Sequence, residues 1–137
     1  MKTHILCAMR DSSTLTHMLR MLEDEQECIC RVVRSGEAAL LSAKKRRPDV
    51  LVIDAVLPLM DGIDRLKEFY GERMPRVIGG YMMPFAKEGF ERRGVNCLVR
   101  VPWEPQQLGE ALMQMIEKTR LEVDWTHLSA ACDRAGQ

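Results

Sequence analysis

The sequence predicts an α/β domain in which helices cover both faces of a five-stranded parallel sheet, a doubly wound arrangement. Short apolar runs alternate five times with amphipathic stretches along 137 residues. Strands separated by helices pair in parallel through right-handed crossovers, which distribute the five helices over the two faces. The length suits one domain. We expect residues 1–120 to form it, with residues 121–137 as a C-terminal extension: a short helix, a linker stub or the start of another domain.

The first two strand–helix units are marked by apolar runs and a capping residue. Residues 5–9 are uniformly apolar, as expected of a strand buried on both faces. A helix capped by Ser12 or Ser13 follows. Its apolar residues have helical spacing: Leu15, Met18, Leu19 and Leu22. Residues 29–33, rich in β-branched side chains, predict the second strand, and residues 37–45 the second helix.

The third unit contains the clearest strand. Residues 50–53 are aliphatic, and the run stops at Asp54. A loop with Pro58 and the turn pair Asp61-Gly62 separates this strand from a helix over residues 63–70.

The last two units are less regular. The fourth strand begins with Val77 and Ile78 and runs into two glycines, and a helix over residues 84–93 follows. Residues 97–101 predict the fifth strand. Pro105 suits the first turn of a long helix, which has four apolar residues on one face: Leu108, Leu112, Met115 and Ile116.

Composition narrows the classes of function. The 20 basic and 20 acidic residues balance, which removes the electrostatic argument for direct nucleic-acid binding. No apolar run is long enough for a membrane span or arranged like a signal peptide. The five cysteines include no C-x-x-C pair and no zinc-like spacing. These features favour a soluble protein of the reducing cytoplasm.

Two carboxylates fall where a ligand site is expected. In an open parallel sheet, ligands bind beyond the carboxyl ends of the strands. Asp11 follows the first strand and Asp54 the third, so both face one crevice. Grouped carboxylate oxygens suit Mg²⁺. The alternative is that Asp11 only caps the first helix.

Other chemistry has little support in the sequence. There is no G-x-x-x-x-G-K-[ST] or G-x-G-x-x-G motif for a nucleotide. The three histidines lie far apart, and no activated nucleophile is apparent. We therefore expect that the domain is not an enzyme, although the same scaffold can carry hydrolase or cofactor chemistry.

Three segments together resemble the receiver domains of bacterial response regulators, the CheY-like superfamily. The segment PDVLVIDAVLPLMDGIDRL matches the phosphoacceptor pattern P-D-[apolar]₄-D-x-x-[apolar]-P-x-[apolar]-D-G. SGEAALLSAKKRRPDV is similar to the second helix and third strand of that family, and VRVPWEPQQL to its L-V-K-P-F-x-P-x-x-L. The resemblance implies a flavodoxin-like sheet with strand order 2-1-3-4-5.

The resemblance also implies a site. Asp54 is expected to accept a phosphoryl group from a histidine kinase or a histidine phosphotransfer protein. Mg²⁺ is expected to bind Asp11, Asp54 and the backbone carbonyl of Val56. Three further positions match residues with a structural role in the family, the last with a cis peptide bond: Pro58, Gly62 and Pro102.

The sequence departs from the family at several site positions. Arg10 replaces the second acid; a guanidinium cannot bind a cation and could itself pair with Asp54. The Ser or Thr expected after the fourth strand is Gly79, Gly80 or Tyr81, and the lysine expected before the proline is Val101. Binding of Mg²⁺ is therefore expected to be weak or absent.

Two hypotheses remain open. In the first, Asp54 is a weakened phosphoacceptor that regulates an output domain or a partner protein within two-component, phosphorelay signalling. In the second, the domain is a pseudo-receiver that acts without phosphorylation as a protein-interaction or dimerisation module. A homodimer is expected to form through the fourth helix, fifth strand and fifth helix.

Overall fold

The computed structural model describes residues 2–10, 13–55 and 60–135, and the side chains of residues 2–10, 15–55 and 61–122. The strands are β1 (Thr3–Ala8), β2 (Cys28–Val33), β3 (Val50–Asp54), β4 (Arg76–Tyr81) and β5 (Cys97–Arg100). The helices are α1 (Ser13–Gln26), α2 (Gly36–Lys45), α3 (Met60–Tyr70), α4 (Pro84–Arg92) and α5 (Pro105–Ala135), with a 3₁₀ turn at Gly71–Arg73.

The sheet has the predicted topology. All four strand pairs are parallel, in the order β2-β1-β3-β4-β5. The central strands β1 and β3 are buried almost throughout, which explains why their sequences are apolar rather than alternating. The predicted doubly wound fold with five strands and five helices is confirmed.

Each face of the sheet has its own hydrophobic core. One core joins the sheet to α1 and α5, and the predicted apolar face of α5 lies in it: Leu108, Leu112, Met115 and Ile116. The other core joins the sheet to α2, α3 and α4 and includes Ile63, Leu66 and Phe90. Alternate residues of each strand therefore point to different cores.

Strand β4 continues through the two glycines that follow Ile78. A Cβ atom on Gly79 would lie 2.8 Å from the Phe90 ring of α4. The aromatic ring thus fills the volume that a side chain at position 79 would need, and the strand packs without one.

The turn predicted at Asp61-Gly62 does not form. Helix α3 begins at Met60, so both residues lie in its first turn. The carboxylate of Asp61 is favourable there, near the positive end of the helix dipole. Gly62 is buried, and Pro58 lies outside the described residues.

Helix α5 is longer than expected. Glu104 precedes it and accepts hydrogen bonds from the backbone N–H groups of Gln106 (3.0 Å) and Gln107 (2.9 Å). Pro105 lies in the first turn, as predicted. The helix continues without interruption to Ala135, so residues 121–135 extend α5 instead of forming a separate short helix or a linker. The domain boundary at residue 120 stays a prediction.

No helix within the described ranges combines the length and the apolar character needed to cross a membrane.

Candidate functional site

Asp54 ends the third strand at the carboxyl edge of the sheet. Its side chain is only 4% exposed, in contrast to most acids. Asp54 is the register partner of Gly80 in β4, and the N–H of Ala55 donates to the Gly80 carbonyl at 2.8 Å. The backbone therefore fixes the carboxyl group next to position 80, one of the three positions at which the family resemblance allows the missing hydroxyl side chain.

The space next to Gly80 is filled by Trp103. A Cβ atom built on Gly80 would approach the indole ring of Trp103 and the side chain of Val101 closer than 3.0 Å. Gly80, Val101 and Trp103 thus form an apolar contact beside Asp54, which we call the indole–glycine contact. A threonine cannot be placed at position 80 unless the indole moves.

The end of β5 contributes no charge to this side of the crevice. The N–H of Val101 donates to the carbonyl of Tyr81 at 2.8 Å, and the Val101 side chain is buried. Arg100 is exposed and precedes Val101 in an extended chain, so its side chain points to the other face. The Val101–Pro102 peptide bond is cis, as the resemblance implies.

An ion pair between Arg10 and Asp54, which the sequence left possible, is not found among the described residues. The side chain of Arg10 is exposed. Met9, immediately before it, is buried in the core shared with α1 and α5. An exposed guanidinium keeps its hydration, which offsets much of the gain from pairing with a buried acid.

Of the three predicted Mg²⁺ ligands, only Asp54 lies in the described part of the chain. Asp11 and Val56 fall outside it. Among residues that are described, no group of three His, Cys, Asp or Glu side chains is placed to hold a metal. One buried carboxylate beside an apolar contact has too few oxygen donors to fit Mg²⁺ by itself.

Trp103 is the site residue that sequence analysis missed. The segment VRVPWEPQQL places it where the family pattern has phenylalanine, and the added ring volume matches the side chain that Gly80 lacks. Its indole Nε1 is buried and has no hydrogen-bond partner within the described residues. The sequence shows a tryptophan where the family has phenylalanine and a glycine in the fourth strand. Their relation becomes apparent only when the structure places the two residues in contact.

Comparison with known families identifies the fold. The model of the family described as response regulator receiver domain matches residues 5–113. The chain belongs to this family. Receiver domains are signalling modules that interact with histidine kinases or phosphotransfer proteins and typically bind Mg²⁺ at the phosphorylation site.

Solved structures support the same receiver fold. A CheY-like response regulator receiver domain protein from Methanospirillum hungatei has a TM-score of 0.71 and 18% identity, and the match covers 89% of this chain and 99% of that one. CheY4 of Vibrio cholerae has a TM-score of 0.68 and 18% identity, covering 84% and 99%. NtrX from Brucella abortus has a TM-score of 0.70 and 20% identity, covering 93% of this receiver domain but 29% of NtrX.

A curated relative is also similar over part of its length. The receiver domain is 37% identical over 73 residues to a protein-glutamate methylesterase/protein-glutamine glutaminase from Halalkalibacterium halodurans. The match covers 52% of this chain and 20% of the relative. The chain therefore spans about one fifth of that protein's length.

Proposed function

We propose that this receiver domain acts in two-component signalling as a protein-interaction module whose conformation does not depend on phosphorylation of Asp54. The observation that carries the proposal is the indole–glycine contact. Receivers need a hydroxyl and an ammonium group near the phosphoryl group, and Gly80 and Val101 supply neither. Phosphoryl transfer depends mainly on positioned charge and hydrogen bonds. Without these groups, the phosphorylated and resting states differ little in free energy.

The contact also removes the movement that a switch requires. A switch needs two packings of similar free energy. The Trp103 ring already fills the volume that a side chain at position 80 would need, so closure of the loop after β4 towards Asp54 would have to displace the indole. The proposed domain therefore presents one surface at all times to a histidine kinase, a phosphotransfer protein or an output domain, and it performs no enzymatic reaction itself.

Weak phosphorylation of Asp54 is the second candidate. It is supported by the position of Asp54 at the carboxyl end of β3, in the segment that matches the family's phosphoacceptor pattern. In this alternative Asp11, Asp54 and the carbonyl of Val56 would hold Mg²⁺, and the ion would supply charge neutralisation for the phosphoryl oxygens. The positive charge of Arg10 would weaken the binding of that ion.

Binding of beryllofluoride, a phosphoryl mimic, in the presence of Mg²⁺ tests the two candidates. We expect the unmodified protein to bind it no better than the Asp54→Asn variant, measured by ¹⁹F and amide NMR. Arg10→Asp should improve binding by roughly tenfold, because a like charge at the metal edge is replaced by a ligand. Saturable binding by the unmodified protein that Asp54→Asn abolishes would exclude the phosphorylation-independent proposal and leave the weak phosphoacceptor.

A variant that restores the family's residues serves as the positive control. Gly80→Thr, Val101→Lys and Trp103→Phe together supply the hydroxyl, the ammonium and the room for both. We expect this triple variant to become phosphorylated by acetyl phosphate faster than the unmodified protein, detected by intact mass. Equal, slow labelling of both proteins would contradict the role given to the indole–glycine contact.

A further inference from the structure

A second cleft lies at the opposite edge of the sheet from Asp54. It has a volume of about 320 Å³, at the lower end of the range of small-molecule pockets, roughly 300–1,000 Å³. It is bounded by α3, by the part of α5 around Met115 and Lys118, by the start of β4 and by the segment that links α4 to β5. We call it the basal cleft.

Apolar side chains form part of the basal cleft. Ile63, Val95 and Met115 line it and are themselves buried in the two cores. Met74 and Val77 add partly buried apolar surface. The cleft therefore offers a hydrophobic surface to the body of a ligand, at the place where the two cores reach the amino-terminal ends of β4 and β5.

The charged residues that line this surface are all basic. Four cations line the basal cleft (Lys67, Arg76, Arg93 and Lys118), and none of its described lining residues is acidic. Two acids approach from outside: Asp64 pairs with Arg93 at 3.3 Å, and Glu122 pairs with Arg76 at 2.5 Å. Two ammonium groups have no acid partner among the described residues, so the cleft keeps an excess of positive charge.

The donors within the cleft are not all used. The Nε of Arg76 is buried and has no hydrogen-bond partner in the described part of the chain, although its NH2 contacts Glu122. A buried donor without a partner destabilises the protein, so an acceptor on a bound ligand would be favourable at this position. The Lys67 ammonium donates to the carbonyl of Arg93, which holds it at the cleft while its charge remains uncompensated.

We propose that the basal cleft binds a small anion with two negative charges and an apolar body, of the phosphate monoester class. Two unpaired ammonium groups and a guanidinium match the charge and the several acceptor oxygens of a phosphate group. The hydrophobic surface beside them accepts an organic group of the size that the volume allows. This site is independent of the function proposed for Asp54, because it lies at the other ends of the strands.

Phenyl phosphate, phenol and inorganic phosphate form a matched set of probes. The titrations use the Asp54→Asn protein, so that binding at the carboxyl edge cannot contribute. Amide NMR should show phenyl phosphate binding, with shift changes at residues 74–77 and 93–97. Phenol and phosphate alone should each bind at least about tenfold more weakly, because each makes only half of the contacts.

Variants then assign the binding to the cations. Lys67→Gln and Lys118→Gln should each weaken phenyl phosphate binding by at least about fivefold. Lys45→Gln, which removes an equal charge from the exposed end of α2, should leave it unchanged. The amide spectrum of each variant reports whether it is folded. No binding up to about 10 mM, phosphate binding as tightly as phenyl phosphate, or equal loss in Lys45→Gln would each overturn the proposal.

Discussion

Gly80 and Trp103 share a volume that only one side chain can occupy. A methyl group on residue 80 would lie within 3.0 Å of both the indole and Val101, which is closer than packed carbon atoms approach. Because the neighbouring ring is rigid and partly enclosed, a larger residue at position 80 should lower the free energy of unfolding. The indole–glycine contact is therefore a direct target for measurement.

Gly80→Ala should lower the free energy of unfolding by about 1–3 kcal/mol, the usual cost of overpacking. Urea denaturation followed by circular dichroism measures the change. In a double-mutant cycle with Trp103→Ala, the loss in the double variant should be smaller than the sum of the single losses, because the smaller residue makes room for the methyl group. Strict additivity would mean that the two side chains do not compete.

Gly109 provides the matched glycine. It lies in α5, and a Cβ atom there would make an ordinary contact of 3.5 Å with the sulfur of Met18. Gly109→Ala should raise the free energy of unfolding by about 0.5–1 kcal/mol, because alanine favours the helix and restricts the unfolded chain. The same urea titration measures it, and a loss of stability would show that the neighbouring Met18 cannot adjust.

At the scale of elements, strand β2 holds two cysteines on one face. The Sγ atoms of Cys28 and Cys30 are 3.9 Å apart, and Cys28 donates to the carbonyl of Leu22. Burial raises the pKa of both thiols, and it raises the pKa of Cys7 in the adjacent strand from 9.0 to about 12. Since the thiolate is the reactive form, these cysteines behave as small apolar residues.

Thiol labelling tests this description. In a Cys132→Ser background, the four described cysteines should react with a disulfide reagent at pH 8 at least about tenfold more slowly than in the urea-unfolded chain. The raised pKa values keep the thiols protonated at that pH, whereas an unfolded thiol is partly ionised. Absorbance of the released thiol group measures the rate. A rapid phase in the folded protein, mapped to β2 by mass spectrometry, would contradict the burial of Cys28.

Elements with a strong local signal could be predicted, and those decided by distant contacts could not. The aliphatic run of β3 and its end at Asp54 are local, and they were predicted correctly. The continuation of β4 through Gly79 and Gly80 depends on Phe90 and Trp103, which lie on other elements. The Asp61-Gly62 pair by itself predicts a turn. In the structure α3 begins at Met60 and includes the pair, and the helix is anchored by the buried residues Ile63 and Leu66.

The candidate site divides in the same way. Position 54, the apolar residue at 101 and the cis proline bond followed from spacing and from the family pattern. Whether Arg10 pairs with Asp54 depends on the balance between hydration and attraction, and therefore on the exposure of Arg10, which no spacing reveals. The role of Trp103 could not be predicted for a related reason. Trp103 follows β5 and contacts Gly80 of β4, a residue that is distant in the sequence.

At the scale of the whole molecule, the surface around the start of α4 is apolar and exposed among the described residues. Met82, Met83 and Phe85 are 52%, 52% and 72% exposed. Exposed apolar groups in a cluster commonly mark protein interfaces. Phe69 on α3 is also exposed, but Lys44 lies 5.7 Å from its ring and Tyr70 packs edge-on against it.

We therefore expect self-association through α4, β5 and α5. Sedimentation equilibrium should detect a dimer at high protein concentration, and Phe85→Glu should weaken it by at least about tenfold, since a charge is placed in an apolar contact. Phe69→Glu changes the same residue type at the end of α3, beside Lys44 of α2, and should have little effect. A monomer at the highest concentration, or equal effects of both variants, would count against this interface.

The length of α5 has a mechanical consequence. The helix packs against the sheet through residues up to Ile116, and Arg76 contacts it at Lys118 and Glu122. Residues 123–135 continue the same helix as an arm of about 20 Å at roughly 1.5 Å per residue. A tilt of α5 by only about 5° near Arg76 would displace its far end by about 2 Å. Small movements near Arg76 would therefore become larger displacements at the C-terminal end of the helix.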